Sequence, residues 1–411
     1  MSDRRCRFCA APLAETFVDL GSTPLSNAYP TREQLDRGRE AFFPLHAWVC
    51  SKCLLVQLEA FETPDHIFGD YAYFSSCSDS WLEHCRRYVS DISRRLGLGA
   101  SSRVVELASN DGYLLQYFVE KNIPVLGIEP AANVAEAAVA RGVPTEVVFF
   151  GVQTAKNLRA KGIAADLLIG NNVLAHVPDL NDFVEGMSLL LAEGGTITME
   201  FPHLLRLIEQ NQFDTIYHEH FSYFSLYTAE KVFAHHGLRI YDVQELPTHG
   251  GSLRIFACRA NNASLPTTPA VAELKGREKQ FGLLDLQTYK KFPEAVKTIC
   301  EQLTDFLRQC RTDGKSVIGY GAPAKGNTLL NACGVTEELL AFTVDRNEYK
   351  QGRYLPGTHI PIRRPADLLK ARPDYVLILP WNLKQEISGQ LKEIRSWGGK
   401  FVIPIPQLEV W

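Results

Sequence analysis

The chain has 411 residues, of which 45% are hydrophobic and 22% charged, and a formal net charge of −4. At about 150 residues per domain this length predicts two to three folded units. The slight acidic excess leaves no electrostatic footprint for nucleic acid, and no apolar run reaches the ~18 residues of a membrane span. The N-terminal residues, MSDRRCRFC, lack the apolar core of a signal peptide. A cytoplasmic, monomeric protein with neither nucleic acid nor membrane as partner is expected.

The first unit is organised by cysteines. Ten cysteines in a chain this long do not make a disulfide scaffold, but four are paired by spacing: Cys6-x-x-Cys9 and Cys50-x-x-Cys53. Two such pairs, each enclosing short polar or basic residues, predict a closed tetrahedral zinc site, and closed Cys₄ sites are structural. A segment this small has too little core to fold alone, so the metal supplies folding energy. The turn-rich loop 20–29, LGSTPLSNAY, either packs on the next unit or merely spans the two pairs. Next, Tyr71 and Tyr73 precede a helix predicted over 81–96; their hydroxyls reach a polar ligand or pack at a domain seam.

The stretch 103–115, RVVELASNDGYLL, reads as a short buried strand, a turn of small residues and a helix. The turn carries Glu106-x-Ala108-x-Asn110-x-Gly112 where a methyltransferase typically has an acidic residue and three glycines. Alanine is still small, and asparagine tolerates left-handed backbone. Glu106, Ala108, Asn110, Asp111 and Gly112 are therefore candidate cofactor residues. Glu129 ends the next apolar strand roughly 20 residues on, placed for ribose hydroxyls, or else serves as a helix N-terminal acid. With no glycine-rich phosphate loop in this unit, S-adenosylmethionine (SAM) fits better than NAD.

Strands near 104–108, 124–129, 144–149, 166–170 and 196–201 alternate with helices near 113–121, 131–141, 152–161 and 180–192. A hairpin of 238–246 and 252–259 closes the unit. Five parallel strands and a hairpin is the class I methyltransferase order. The fourth strand runs into Asn171, Asn172 and His176, at the end where open α/β sheets keep ligands; for His176 a capping role is the competing reading. His249 lies in the hairpin turn, with function and plain turn equally open. After a polar linker, a long helical segment is predicted over 271–310. Then 316–327, SVIGYGAPAKGN, opens a second, smaller Rossmann-like unit.

The densest chemistry is 217–224, YHEHFSYF, in a loop after the fifth strand. His218 and His220 are metal ligands, or the loop is merely polar and aromatic, or a histidine acts as general base with a carboxylate or phenol beside it. Lys121 and Arg141 read as solvated faces.

The pairs CxxC…CxxC, the ELASNDG turn, NNVLAH, YHEHFSYFSL, HGGSLR and GYGAPAKGNTLLN occur in one order. Over essentially its full length the chain resembles the SAM-dependent sugar C-methyltransferases that act on nucleotide-linked keto-deoxysugars, best known from the TDP-4-keto-6-deoxysugar C-3-methyltransferases. The resemblance implies an α/β architecture: a zinc-binding unit (1–68), a SAM-binding class I methyltransferase unit (69–262) and a C-terminal Rossmann-like unit that binds the nucleotide sugar (263–411). It implies that His220 is the base, with Tyr217, Glu219 and His176 beside the sugar and Tyr71 or Tyr73 approaching it. Tyr320, Lys325 and Asn327 then lie near the diphosphate, and TDP is the expected nucleotide. The third unit's glycine turn is alternatively a vestigial dinucleotide site. O-methylation of a sugar or other small polar metabolite, and a non-catalytic zinc-stabilised binding module, are the competing functions.

Overall fold

The structure is a computed structural model that describes residues 4–61, 75–77 and 79–411. Tyr71, Tyr73 and the expected 68/69 boundary lie outside the described residues. The N-terminal unit contributes three antiparallel strands, β1 (Glu15–Thr23), β2 (Phe43–Val49) and β3 (Val56–Leu58).

The middle unit begins with the amphipathic helix Asp79–Leu96. Its strands are β4 (Val104–Leu107), β5 (Val125–Ile128), β6 (Thr145–Glu146), β7 (Ala165–Asn171) and β8 (Leu191–Pro202). The short β9 (Ser222–Tyr223) follows, then the hairpin β10 (Leu238–Leu246) and β11 (Ser252–Arg259). Every residue of β4 is buried, as expected of a central parallel strand covered on both faces. Strand order in the seven-stranded sheet is β10-β11-β8-β7-β4-β5-β6. Strands β4 to β8 run parallel, and β11 runs antiparallel between β8 and β10. This is the expected class I methyltransferase order. Strand β9 leaves that sheet and pairs antiparallel with β3, completing the N-terminal sheet in the order β1-β2-β3-β9.

Two local expectations are corrected. The helix predicted over 113–121 is regular only over Gln116–Val119, because the chain is still turning at Gly112 (φ 76°). The run expected as one helical segment over 271–310 is three helices: Pro269–Phe281, Leu286–Lys290 and Phe292–Thr312. Gly282 takes the left-handed conformation (φ 97°) and stops the first. Asp285 then caps the second by accepting from Gln287 N–H.

The third unit has β12 (Val317–Tyr320), β13 (Thr343–Val344), β14 (Ile362–Arg363), β15 (Tyr375–Ile378), β16 (Lys400–Ile403) and β17 (Glu409–Val410). Their order is β14-β13-β12-β15-β16-β17, parallel except for β17. The order reverses at β12, so a ligand crevice belongs outside its carboxyl end. One buried apolar cluster runs through all three units, from Phe17 and Leu45 through Phe201 and Phe224 to Leu329 and Ile378.

Candidate active site between three units

The four cysteine sulfurs of Cys6, Cys9, Cys50 and Cys53 lie within 4.8 Å of one another, with Cys6 to Cys53 and Cys9 to Cys50 each at 3.5 Å. Four thiolates about 2.3 Å from one zinc ion stand about 3.8 Å apart, so the cluster fits the metal. The two pairs fold alike. Cys6 O accepts from Ala10 N–H and Cys50 O from Leu54 N–H, and both Ala10 (φ 56°) and Leu54 (φ 64°) are left-handed. Gln57 Nε2 donates to Cys6 Sγ at 3.2 Å. Among the described residues this is the only metal-ligating cluster of three or more such side chains.

The turn after β4 does with other residues what glycines usually do. Ala108 (φ 55°) and Asn110 (φ 47°) are both left-handed, like Gly112. Glu129 Oε2 accepts from Asn110 N–H (2.8 Å) and Oε1 from Ala131 N–H (2.9 Å), which ties the turn to the end of β5. Asp111 is engaged through one oxygen: Oδ2 pairs with Arg141 (2.9 Å) and takes the Ser76 hydroxyl. Arg141 is exposed, as expected from sequence, and is in addition a structural partner of Asp111.

Glu106 is fully buried at the start of this turn, and among the described residues neither carboxylate oxygen has a donor in ordinary hydrogen-bond geometry, the Tyr113 phenol being beside it. Burial holds its pKa well above the ordinary range, eased only in part by the nearby Tyr113 phenol. The α-ammonium of SAM would answer that orphaned carboxylate, and Glu129 keeps lone pairs for ribose hydroxyls. Asn171 Nδ2 and Asn172 Oδ1, at the end of β7, are also buried without partners among the described residues. Asn172 Nδ2 donates to His249 Nε2 (3.0 Å). The residues present therefore fit SAM.

In the loop between β8 and β9, His220 Nδ1 lies 2.9 Å from Thr215 O. A carbonyl only accepts, so Nδ1 carries the proton and Nε2 is the acceptor in the neutral ring. Tyr217 Oη donates to that Nε2 at 2.7 Å. The ring of His176 stands 4.7 Å from that of His220, centroid to centroid. Burial above all, with His176 beside it, holds the His220 pKa well below the usual histidine value; burial also takes His176 down to about 4. Glu219 turns to the N-terminal unit: Asn27 Nδ2 donates to its two oxygens at 2.8 and 3.0 Å. Burial raises its pKa to about 6, with Asn27 opposing. Orientation of the imidazole thus comes from Thr215 and Tyr217, not from the Glu219 carboxylate. His218 donates to Pro44 O (3.2 Å), edge-on to Phe43 and Phe61.

The third unit presents Lys325, whose ammonium lies 4.8 Å over the Trp381 ring and donates to Asn382 Oδ1 (2.9 Å). Trp381 Nε1–H donates to the buried Asp214 (2.6 Å) at the base of the loop that carries Tyr217–His220. Burial lowers the Lys325 pKa and raises that of Asp214 to about 6. Asn327 is engaged elsewhere, donating to Ser26 O at 2.6 Å. Tyr320 is buried in β12, and burial raises its pKa.

Sequence reasoning missed Asn27, Asp214 and a buried set around Glu200. Glu200 is paired with Arg254 across the β8–β11 ladder, with His84 (3.1 Å) and with Thr248 Oγ1 (2.9 Å). These partners hold the Glu200 pKa down at about 2 against the effect of burial. The acidic residue closing an apolar strand was the available signal. Nothing local marks Asn27, since its partner is remote in sequence.

Three family models match in order: a zinc binding domain over residues 6–68, a methyltransferase domain over 81–243 and a C-methyltransferase C-terminal domain over 247–406. The C-methyltransferase NovU of Streptomyces niveus is 40% identical over 405 residues, 98% of this chain and 96% of NovU. Among solved structures, a SAM-dependent methyltransferase of Clostridium acetobutylicum pairs 92% of its length with 44% of this chain at 11% identity and a TM-score of 0.35. Magnesium protoporphyrin IX methyltransferase of Synechocystis, with bound SAM, pairs 88% of its length with 47% of this chain at 15% identity and a TM-score of 0.33. The full-length sequence match, not these pairings, decides the assignment: the chain belongs to the SAM-dependent C-methyltransferases that include NovU, and carries their zinc-binding N-terminal domain.

Proposed function

We propose that the protein methylates carbon 3 of a nucleotide-linked 4-keto-6-deoxysugar, TDP being the nucleotide. In this reading the zinc-binding unit spans 1–68, the SAM-binding unit 69–262 and the nucleotide-sugar unit 263–411. The protein works as a cytoplasmic monomer. Tyr320 and Lys325 hold the diphosphate side, with Asn327 behind them fixing the 20–29 loop through Ser26 O, and Glu219, His176 and His249 line the sugar side.

A carbon beside a ketone becomes a nucleophile only when it loses a proton. The observation that carries the reading is the pair of bonds on His220. With Nδ1–H fixed on Thr215 O, the neutral ring presents Nε2 as its basic atom, and burial keeps the ring neutral. Tyr217 Oη, now on that nitrogen, gives way to the substrate C–H and supplies a hydroxyl for the developing enolate oxygen. Bound SAM supplies an electrophilic methyl group. The rest is alignment of the new nucleophile by rigid walls.

The test is incubation with TDP-4-keto-6-deoxyglucose in deuterated buffer, with and without SAM, read by mass spectrometry and NMR. The expected product carries one methyl on the carbon next to the ketone, and deuterium enters that carbon without SAM. His220→Asn should lower both rates by about 10²–10⁴-fold while SAM still binds. An unchanged exchange rate in that variant removes His220 as the base, and a methyl found on oxygen overturns the substrate reading.

A further inference from the structure

We propose that Asn27, from the zinc-binding unit, is a positioning residue of the active site that fixes the Glu219 carboxylate and sets its protonation. The proposal rests on the reading that Glu219 lines the reaction chamber. Glu219 is only 5% exposed. Among the described residues, the Asn27 amide is the only side chain hydrogen-bonded to its carboxylate, straddling both oxygens at 2.8 and 3.0 Å.

Asn27 itself is held from both sides. The peptide before it is fixed by Asn327, which donates to Ser26 O (2.6 Å). Two residues on, Tyr29 Oη donates to Ala322 O (2.6 Å), in the glycine turn of the third unit, where Lys350 Nζ donates as well (2.8 Å). The arm is therefore anchored on the third unit while its amide serves a side chain of the second. A contact that bridges three units in this way does more than cover a seam. Asn27 and Ala28 are exposed between the buried Ser26 and Tyr29, and among the described residues Asn27 Oδ1 has only a long bond, 3.4 Å from Tyr29 Oη.

The chemistry follows from desolvation. A buried carboxylate with one donor is poised between its two forms, and removing that donor favours the protonated one. Burial already places Glu219 near 6, and Asn27 is what opposes it. Among the described residues, the other titratable groups facing it are the Tyr29 phenol on the arm and His176, which contacts its backbone; neither offers a counter-charge.

Infrared difference spectra of the zinc-loaded, SAM-free enzyme against Glu219→Gln follow the Glu219 carboxyl band through a pH titration. Asn27→Ala should raise its midpoint by one pH unit or more. It should cut the turnover number about tenfold and move the acid limb of the pH profile upward by the same interval. Zinc content and SAM affinity should stay within twofold. In Asn27→Asp the new acid shares a proton with Glu219, so activity should return as the pH is lowered. A midpoint that stays put in Asn27→Ala, or an Asn27→Asp profile parallel to wild type, overturns the proposal. The infrared arm needs no substrate, so it stands or falls apart from the sugar assignment.

Discussion

Ala108 and Asn110 hold left-handed backbone where glycine would be free of strain, and Gly112 sits between them and the next strand. At Gly112 the freedom is needed twice. A Cβ there would stand 3.0 Å from Val143 Cγ2 and 3.3 Å from Ala138 Cβ, at a φ of 76°. Gly112→Ala should destabilise by about 2 kcal/mol and weaken SAM binding, measured by denaturant unfolding and calorimetry. His176 gives a second residue-scale test. Its folded pKa near 4 lies below the ~6.5 of an unfolded histidine. The unfolded chain thus takes up the proton first, so His176's contribution is fully present above pH ~6.5 and is lost as pH falls toward 4. Asp214 and Glu219, raised to about 6, run in the opposite sense. The clean measurement is therefore a difference: between pH 7.5 and 5, His176→Gln should gain on wild type by on the order of 1–2 kcal/mol, allowing for partial exposure. At this scale the sequence was legible where chemistry is local. Asn110 in the turn and the tautomer-competent His220 follow from residue type and spacing. The Arg141–Asp111 pair did not, because the two meet only across the fold.

The loop from Asp214 to Tyr223 is an element with no regular structure of its own over most of its length, and three units hold it. Strand β9 pairs with β3 through Val56↔Tyr223 and Gln57↔Ser222. Thr328 Oγ1, on the helix Ala324–Ala332, donates to Ile216 O (2.9 Å), and Trp381 reaches Asp214. Thr328→Val keeps the shape and leaves that carbonyl unanswered. It should cost about 1–2 kcal/mol of stability and lower turnover several-fold with SAM affinity unchanged, a split visible in steady-state kinetics and calorimetry. The loop declared itself in the sequence through its density of histidines, carboxylate and phenols. Its anchors at 27, 328 and 381 could not, since long-range pairing leaves no periodic trace. The break at Gly282 was missed for a related reason: apolar spacing continued past it, and only the left-handed cap stops the helix.

At the scale of the molecule, alternating strands and helices made the seven-stranded sheet readable almost in full, because burial on both faces forces continuous apolar runs. The joining of the units was not readable. Zinc removal tests that joining. A chelator, or Cys6→Ser, should release one metal ion per chain, lower the melting temperature and abolish methyl transfer, while the middle unit still binds SAM; metal analysis, calorimetry and product assay report the three effects separately. The β3–β9 pairing carries a consequence for synthesis. The N-terminal strands leave the ribosome first, yet the sheet they form lacks one edge until the chain has been made past Ser222. Until then β3 offers an open row of N–H and C=O groups, the kind of edge that recruits foreign strands. Early zinc capture would hold the nascent knuckles in register while they wait. Cells starved of zinc should therefore accumulate this chain as aggregate before they accumulate it as inactive soluble enzyme.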